Sequence, residues 1–248
     1  MAGVIRLDPH DPTGEGLKTW EVIPPDWLIG PVPDQRGVKA YEHNGLCAGT
    51  WENHGGSATS SHPYPLFELM QLIDGEVTII DEAGKKDVIL AGQAFFLPQG
   101  FNCAWDMQKY YRKYFMTFHR EGYPAETDQA KLKCIRLISN PTNADLEDVS
   151  ERTDGLDTLE PHQRQNLAYE SSDGRIQVGT LVTGACEFPI KSFNRNELIC
   201  VQHGTVSVTS PDNEETFTAG ESFFVPLHAS VGWRSEGEFR AYFFAVWP

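Results

Sequence analysis

Two glutamates set the first chemical question. Glu68 opens ELMQLIDG (68–75) and Glu197 opens ELICVQHG (197–204), both among apolar residues. A carboxylate buried in such surroundings needs a partner or a proton. Tyr64 stands four residues before Glu68, and Lys191 six before Glu197. Each pair is either structural or part of a ligand site, and on the second reading Glu68 is a candidate general acid or base. Arg112 and Arg240 can clamp a carboxylate ligand or form salt bridges. Trp105 and Trp233 can pack a wall or stack a planar ligand. His62 lies in SSHPYP, which is turn chemistry. The chain has no H-E-x-x-H, Gly-rich phosphate loop or nucleophile elbow. Its five cysteines, Cys47, Cys103, Cys134, Cys186 and Cys200, are widely spaced without a C-x-x-C. That argues against both a zinc ribbon and a disulfide framework.

The elements that carry these residues occur twice. Glu68 and Gly75 recur as Glu197 and Gly204, an offset of 129. AGQAFFLPQGFNCAW (91–105) recurs as AGESFFVPLHASVGW (219–233), an offset of 128, so one residue is lost between the blocks. Arg112, Tyr114 and Phe115 recur as Arg240, Tyr242 and Phe243, and AGT (48–50) resembles VGT (178–180). The halves therefore read as one domain type used twice. EVTIID (76–81) and TVSVTS (205–210) alternate β-branched with polar residues, the period of a half-buried strand. AFFLP and SFFVP read as short buried strands, and KYFMTF (113–118) and AYFFAV (241–246) close each unit. Turn signals every 8–12 residues predict an all-β sandwich or barrel. The expected organisation is an arm at 1–17, a first domain at 18–120, an acidic linker at 121–160 and a second domain at 161–248.

The 248 residues carry 20 Lys and Arg against 35 Asp and Glu, a net charge of −15. Such a balance disfavours nucleic acid and anionic membranes, since the basic runs Lys109–Lys113 and Lys131–Arg136 are short. Residues 143–160 hold seven acids and one arginine, so much of the charge belongs to the connector. No apolar run of 18 residues occurs, and the N-terminus has no basic start followed by an apolar stretch. A cytoplasmic protein is expected.

Gly56, His62, Tyr64, Glu68 and Gly75, followed by Gly92, Pro98, Gly100 and Cys103, resemble the two signatures of the cupin superfamily. The resemblance covers roughly 40–118 and 175–247 and implies two tandem jelly-roll β-barrels, a bicupin. AGTWE (48–52) and the aromatic-rich closing strands resemble the subgroup that includes ethanolamine-utilisation cupins and ureidoglycine aminohydrolases. In the superfamily the signatures supply two His, one Glu and a third His to one metal. Here His62 and Glu68 match, Tyr64 stands at the second His and Cys103 at the third. The resemblance thus implies either no cofactor or a single divalent Zn, Mn, Ni or Fe in the N-terminal barrel, on His62, Glu68 and Cys103. In the second unit Lys191, Phe193 and Val231 occupy the His positions, Glu197 remains, and His228 stands where Gly100 does. The expected function is binding of a small polar metabolite without a strong metal site, through Tyr64, Trp105, Arg112, Glu197, Lys191 and Trp233. The alternatives are a metal-dependent hydrolase or isomerase of a nitrogenous or carboxylated metabolite, and a structural or oligomerisation role. The expected partner is a small molecule, the chain being a monomer with pseudo-twofold barrels or a homodimer.

Overall fold

The computed structural model describes residues 3–9, 16–20, 23–24, 26–123, 126, 128–149 and 163–248. Most of the acidic stretch 143–160, and residues 10–15 of the arm, lie outside the described residues. The chain divides into two compact units, Leu7–Arg136 and the combination of Met1–Arg6 with Leu137–Pro248. Strands build both. Among the described residues the helical structure is one 3-10 turn, Asn143–Asp145, where the Thr142 N–H and hydroxyl donate to the Asp145 carboxylate at 2.8 and 2.7 Å. The all-β expectation holds.

In the N-terminal unit the 15-residue strand Phe67–Asp81 organises the barrel. Its first half pairs with Tyr111–Phe118 and Ala94–Leu97, and its second half with Asn102–Met107 and Lys86–Leu90. One strand thereby serves two sheet faces, a common way to turn a sheet corner. The corner is Gly75, at φ 73°, where a Cβ would lie 1.9 Å from the Tyr110 carbonyl oxygen. Its repeat partner Gly204 has φ 77° and would meet the Glu238 carbonyl at 2.2 Å. The recurrence of this glycine thus has a steric cause: left-handed backbone and a carbonyl where any side chain would start.

Alternation decides which side chains face inward. Asn102–Met107 buries every second residue, so Cys103, Trp105 and Met107 enter the core. Ile79, Phe95 and Leu97 join them, and their repeat partners Val208, Phe223 and Val225 sit in the matching core of the C-terminal unit. Each such side chain contributes roughly 1.5–3 kcal/mol by leaving water. The aromatic, proline-rich segment before the first long strand packs onto the N-terminal barrel. Lys18–Thr19 pairs with Arg36 and Gly37, and Leu28–Ile29 with Ala58 and Thr59. In the C-terminal unit Asn196–His203 lies between Ser222–Val225 and Phe239–Val246, and a four-stranded sheet built on Ser230–Ser235 and Thr205–Thr209 closes the barrel.

Candidate functional site

The N-terminal barrel holds a cavity of about 590 Å³, open to solvent on one side, within the size range usual for small-molecule sites. Trp20, Trp27, Trp51, Trp105, Tyr111 and Phe115 supply aromatic walls. Trp20 can lie against the strand Gln35–His43 because residue 37 is glycine: a Cβ there would come within 2.6 Å of the indole.

Glu68 is on the floor, 4% exposed. Its partner is Lys113, 6% exposed, whose Nζ donates to Glu68 Oε1 at 2.8 Å. The Tyr64 hydroxyl donates to Oε2, so both carboxylate oxygens are engaged. The ammonium also lies 4.8 Å from the Trp51 ring centroid, 5.5 Å from Trp105 and 5.9 Å from Phe115. Cation–π attraction thus helps replace the water that Lys113 has lost. Burial, and then the negative charge of Glu68, pushes the Tyr64 and Tyr111 phenols well above their usual range. Both remain neutral. The Tyr64 ring is partly open to solvent, while its hydroxyl points down onto the carboxylate.

The expected ligand set does not assemble. Among the described residues no group of three or more His, Cys, Asp or Glu side chains could hold a metal ion. Glu68 is neutralised by an ammonium, which repels a second cation. His62 uses Nδ1 to donate to the Ser60 carbonyl at 2.8 Å and stacks on Trp27 with ring centroids 3.8 Å apart. Cys103 is cross-strand neighbour to His62, but burial raises its thiol to about 12. In the metal-free barrel it is therefore a neutral, buried thiol. The donor set does not fit a divalent cation.

The remaining candidates divide between the two units. Tyr64 and Trp105 line the cavity with Glu68. Arg112 faces away from it and binds Glu52 through Nε at 2.9 Å and through Nη2. Glu52 also accepts from Tyr110 at 3.1 Å and contacts His54 Nε2 at 3.0 Å. Burial acts to raise the Glu52 carboxyl, but Arg112 and His54 bring it below its ordinary value. Arg112 is a salt-bridge residue and not a ligand clamp. In the C-terminal unit Lys191 is exposed, and Arg195 is the partner of Glu197, at 2.9 Å from Nε and 2.7 Å from Nη2. Arg195 sits in the bend just before the strand Asn196–His203, two residues from Glu197, whereas Lys191 belongs to the strand Cys186–Ser192 opposite Val231. The Arg195 guanidinium lies 4.4 Å from the Phe193 ring centroid. With Trp233 packed on Phe193 and Phe223, the interior that Glu197 faces is reduced to about 20 Å³. His228 is exposed in a left-handed turn at φ 66°, repeating Gly100 at φ 91°.

Lys113, Gln35, Trp20, Trp27, Trp51 and Arg195 were not singled out from sequence. The available signal for Lys113 was parity: it shares a strand face with the apolar Tyr111 and Phe115.

Residues 44–115 match the EutQ-like cupin domain family. That match covers part of the N-terminal unit, and the chain as a whole has the cupin fold. A protein of unknown function from Pseudomonas syringae pv. tomato superposes with a TM-score of 0.77 at 19% identity, covering 99% of this chain and 100% of that one. A cupin 2 conserved barrel domain protein from Leptotrichia buccalis gives 0.59 at 10% identity, over 93% and 100%. A salicylate 1,2-dioxygenase from Pseudaminobacter salicylatoxidans gives 0.55 at 13%, over 85% and 75%. At these identities the likenesses establish the cupin fold alone. No curated protein matches the sequence. No helix among the described residues is long and apolar enough to cross a membrane.

Proposed function

We propose that the N-terminal cupin barrel binds a small organic molecule in its aromatic cavity, without a metal ion. Lys113 carries this reading. Its ammonium, 2.8 Å from Glu68, supplies the positive charge that a buried carboxylate needs, and it does so at the floor of a cavity with room for a ligand. Glu68, Tyr64 and Lys113 are then polar groups that orient the guest, and Trp105 and Trp51 give apolar area. The C-terminal barrel, with about 20 Å³ beside Glu197, serves as a packed scaffold, since that space is about one water molecule's worth.

Elemental analysis of untagged protein tests the metal-free half. The expected result is far less than one transition metal per chain, unchanged in Glu68→Gln. About one metal per chain, lost in that variant, would overturn it. A ligand-observed NMR screen with small aromatic fragments tests the other half. Fragments that bind and quench tryptophan fluorescence support the cavity, and a screen without binders refutes it.

A further inference from the structure

The geometry points to a flat, uncharged aromatic or heteroaromatic ligand that carries a hydrogen-bond acceptor, received by Gln35. This deepens the binding reading above and depends on it.

Gln35 is 5% exposed and lines the cavity, and its Nε2 is buried without a hydrogen-bond partner among the described residues. A buried amide NH₂ has two donors, and leaving them unused is costly enough to call for an explanation. Its backbone is fixed. The Gln35 carbonyl accepts from the Trp20 N–H at 2.9 Å, and Gln35 pairs with Asn53 across the sheet. One piece of backbone thus holds both the unused donor and a tryptophan of the wall. An acceptor on a guest in the cavity, such as a carbonyl or a ring nitrogen, would satisfy Gln35.

The charge of the guest follows from what faces it. The permanently charged side chains among the described lining residues are Lys39, Glu42, Glu68 and Lys113. They cancel in two pairs, Lys113–Glu68 at 2.8 Å and Lys39–Glu42 at 2.9 Å. An anion would shed its hydration without meeting a net positive charge, so its uncharged isostere is favoured. Flatness follows from the aromatic lining, Trp20, Trp51, Trp105, Tyr111 and Phe115, which rewards contact with a planar guest.

Four probes separate these features by isothermal titration calorimetry on the full chain: benzamide, benzoate, cyclohexanecarboxamide and indole. Benzamide should bind at least about tenfold more tightly than benzoate, its charged isostere, and than the non-planar cyclohexanecarboxamide. This comparison needs no variant. Gln35→Met should weaken benzamide about tenfold, the worth of one buried hydrogen bond, while indole, which has no strong acceptor, changes less than about twofold. Equal or tighter binding of benzoate or cyclohexanecarboxamide would overturn the ligand class and leave the small-molecule cavity standing. So would equal weakening of benzamide and indole in Gln35→Met. If none of the four binds or alters tryptophan fluorescence at millimolar concentration, the cavity reading falls as well.

Discussion

Replacing Lys113 with methionine isolates the ion pair on the cavity floor. Methionine keeps the length of the stem and its contacts with Trp51 and Trp105 but removes the charge. At 2.8 Å the attraction between Lys113 and Glu68 is about 6 kcal/mol at an effective dielectric constant of about 20. Desolvation of two ions, several kcal/mol each, offsets most of it. The pair as a whole therefore adds little to stability, while breaking it leaves Glu68 buried and uncompensated. The expected loss for Lys113→Met is about 3–5 kcal/mol, a fall of about 10–20 °C in Tm for a unit of this size. The double variant Lys113→Met/Glu68→Gln should lose less than the sum of the two single variants by at least about 2 kcal/mol. Urea unfolding followed by tryptophan fluorescence is the suitable assay, because Trp20, Trp27, Trp51 and Trp105 belong to the N-terminal unit. A loss below about 1 kcal/mol for Lys113→Met, the size seen for exposed pairs, would mean that water screens the floor. The reading of Lys113 and Glu68 as a buried, desolvated ion pair would then be wrong.

Three further outcomes are expected. The Glu52 carboxyl is held below its ordinary value in the folded chain, so its contribution to stability is present above about pH 4.3 and is lost as pH falls through the lower folded value. Acid unfolding of Glu52→Gln should accordingly have a shallower pH slope below about 4.3 than the parent, and an unchanged slope would refute the assignment. Burial raises the thiols of Cys103, Cys134 and Cys200 to about 12, which leaves roughly one part in ten thousand as thiolate at about pH 8. Iodoacetamide should therefore miss all three until the chain unfolds, and native-state labelling of Cys103, read by peptide mass spectrometry, would contradict its burial. Arg195→Met should destabilise the C-terminal unit by about 3–5 kcal/mol through the stranded Glu197, whereas Lys191→Ala, on an exposed site, should stay within about 0.5 kcal/mol. Equal effects of the two would restore Lys191 as the partner.

The frame of this protein was legible because its signals are local and occur twice. Gly75 and Gly204 mark corners where the backbone itself forbids a side chain, and AFFLP and SFFVP are short enough to be read as buried strands without knowing their partners. The carboxylates Glu68 and Glu197 were legible for the same reason, as charges inside apolar strands. Their counter-ions were not. Alignment of the repeats sets Lys191 beside Glu197, yet the residue that reaches Glu197 is Arg195, in the bend that leads into the same strand. Lys113 looked like the end of a surface run that begins at Lys109. Lys109 does stay outside, paired with Glu76 at 2.7 Å, while Lys113 turns inward. One-dimensional charge counts cannot separate them, because strand parity and cross-strand register decide the matter.

The repeat also explains why the two barrels differ in capacity. Lys113 pairs in register with Trp51 and Leu72, and at the same place in the second unit Ala241 pairs with Leu181 and Val201. The cation that neutralises the carboxylate thus comes from the closing strand in one unit and from the bend just before the carboxylate's strand in the other. Tyr64 likewise gives way to Phe193, which drops the hydroxyl and becomes the face under Arg195. A guanidinium two residues from its carboxylate needs little reach, and it lines the roughly 20 Å³ that remains beside Glu197. A lysine on the neighbouring strand, paired with Leu72, must extend along the sheet to Glu68, passing the Trp51 and Trp105 rings. Each barrel keeps its inherited glutamate by adding a positive charge, but only the arrangement in the N-terminal barrel leaves a volume in which a ligand can sit.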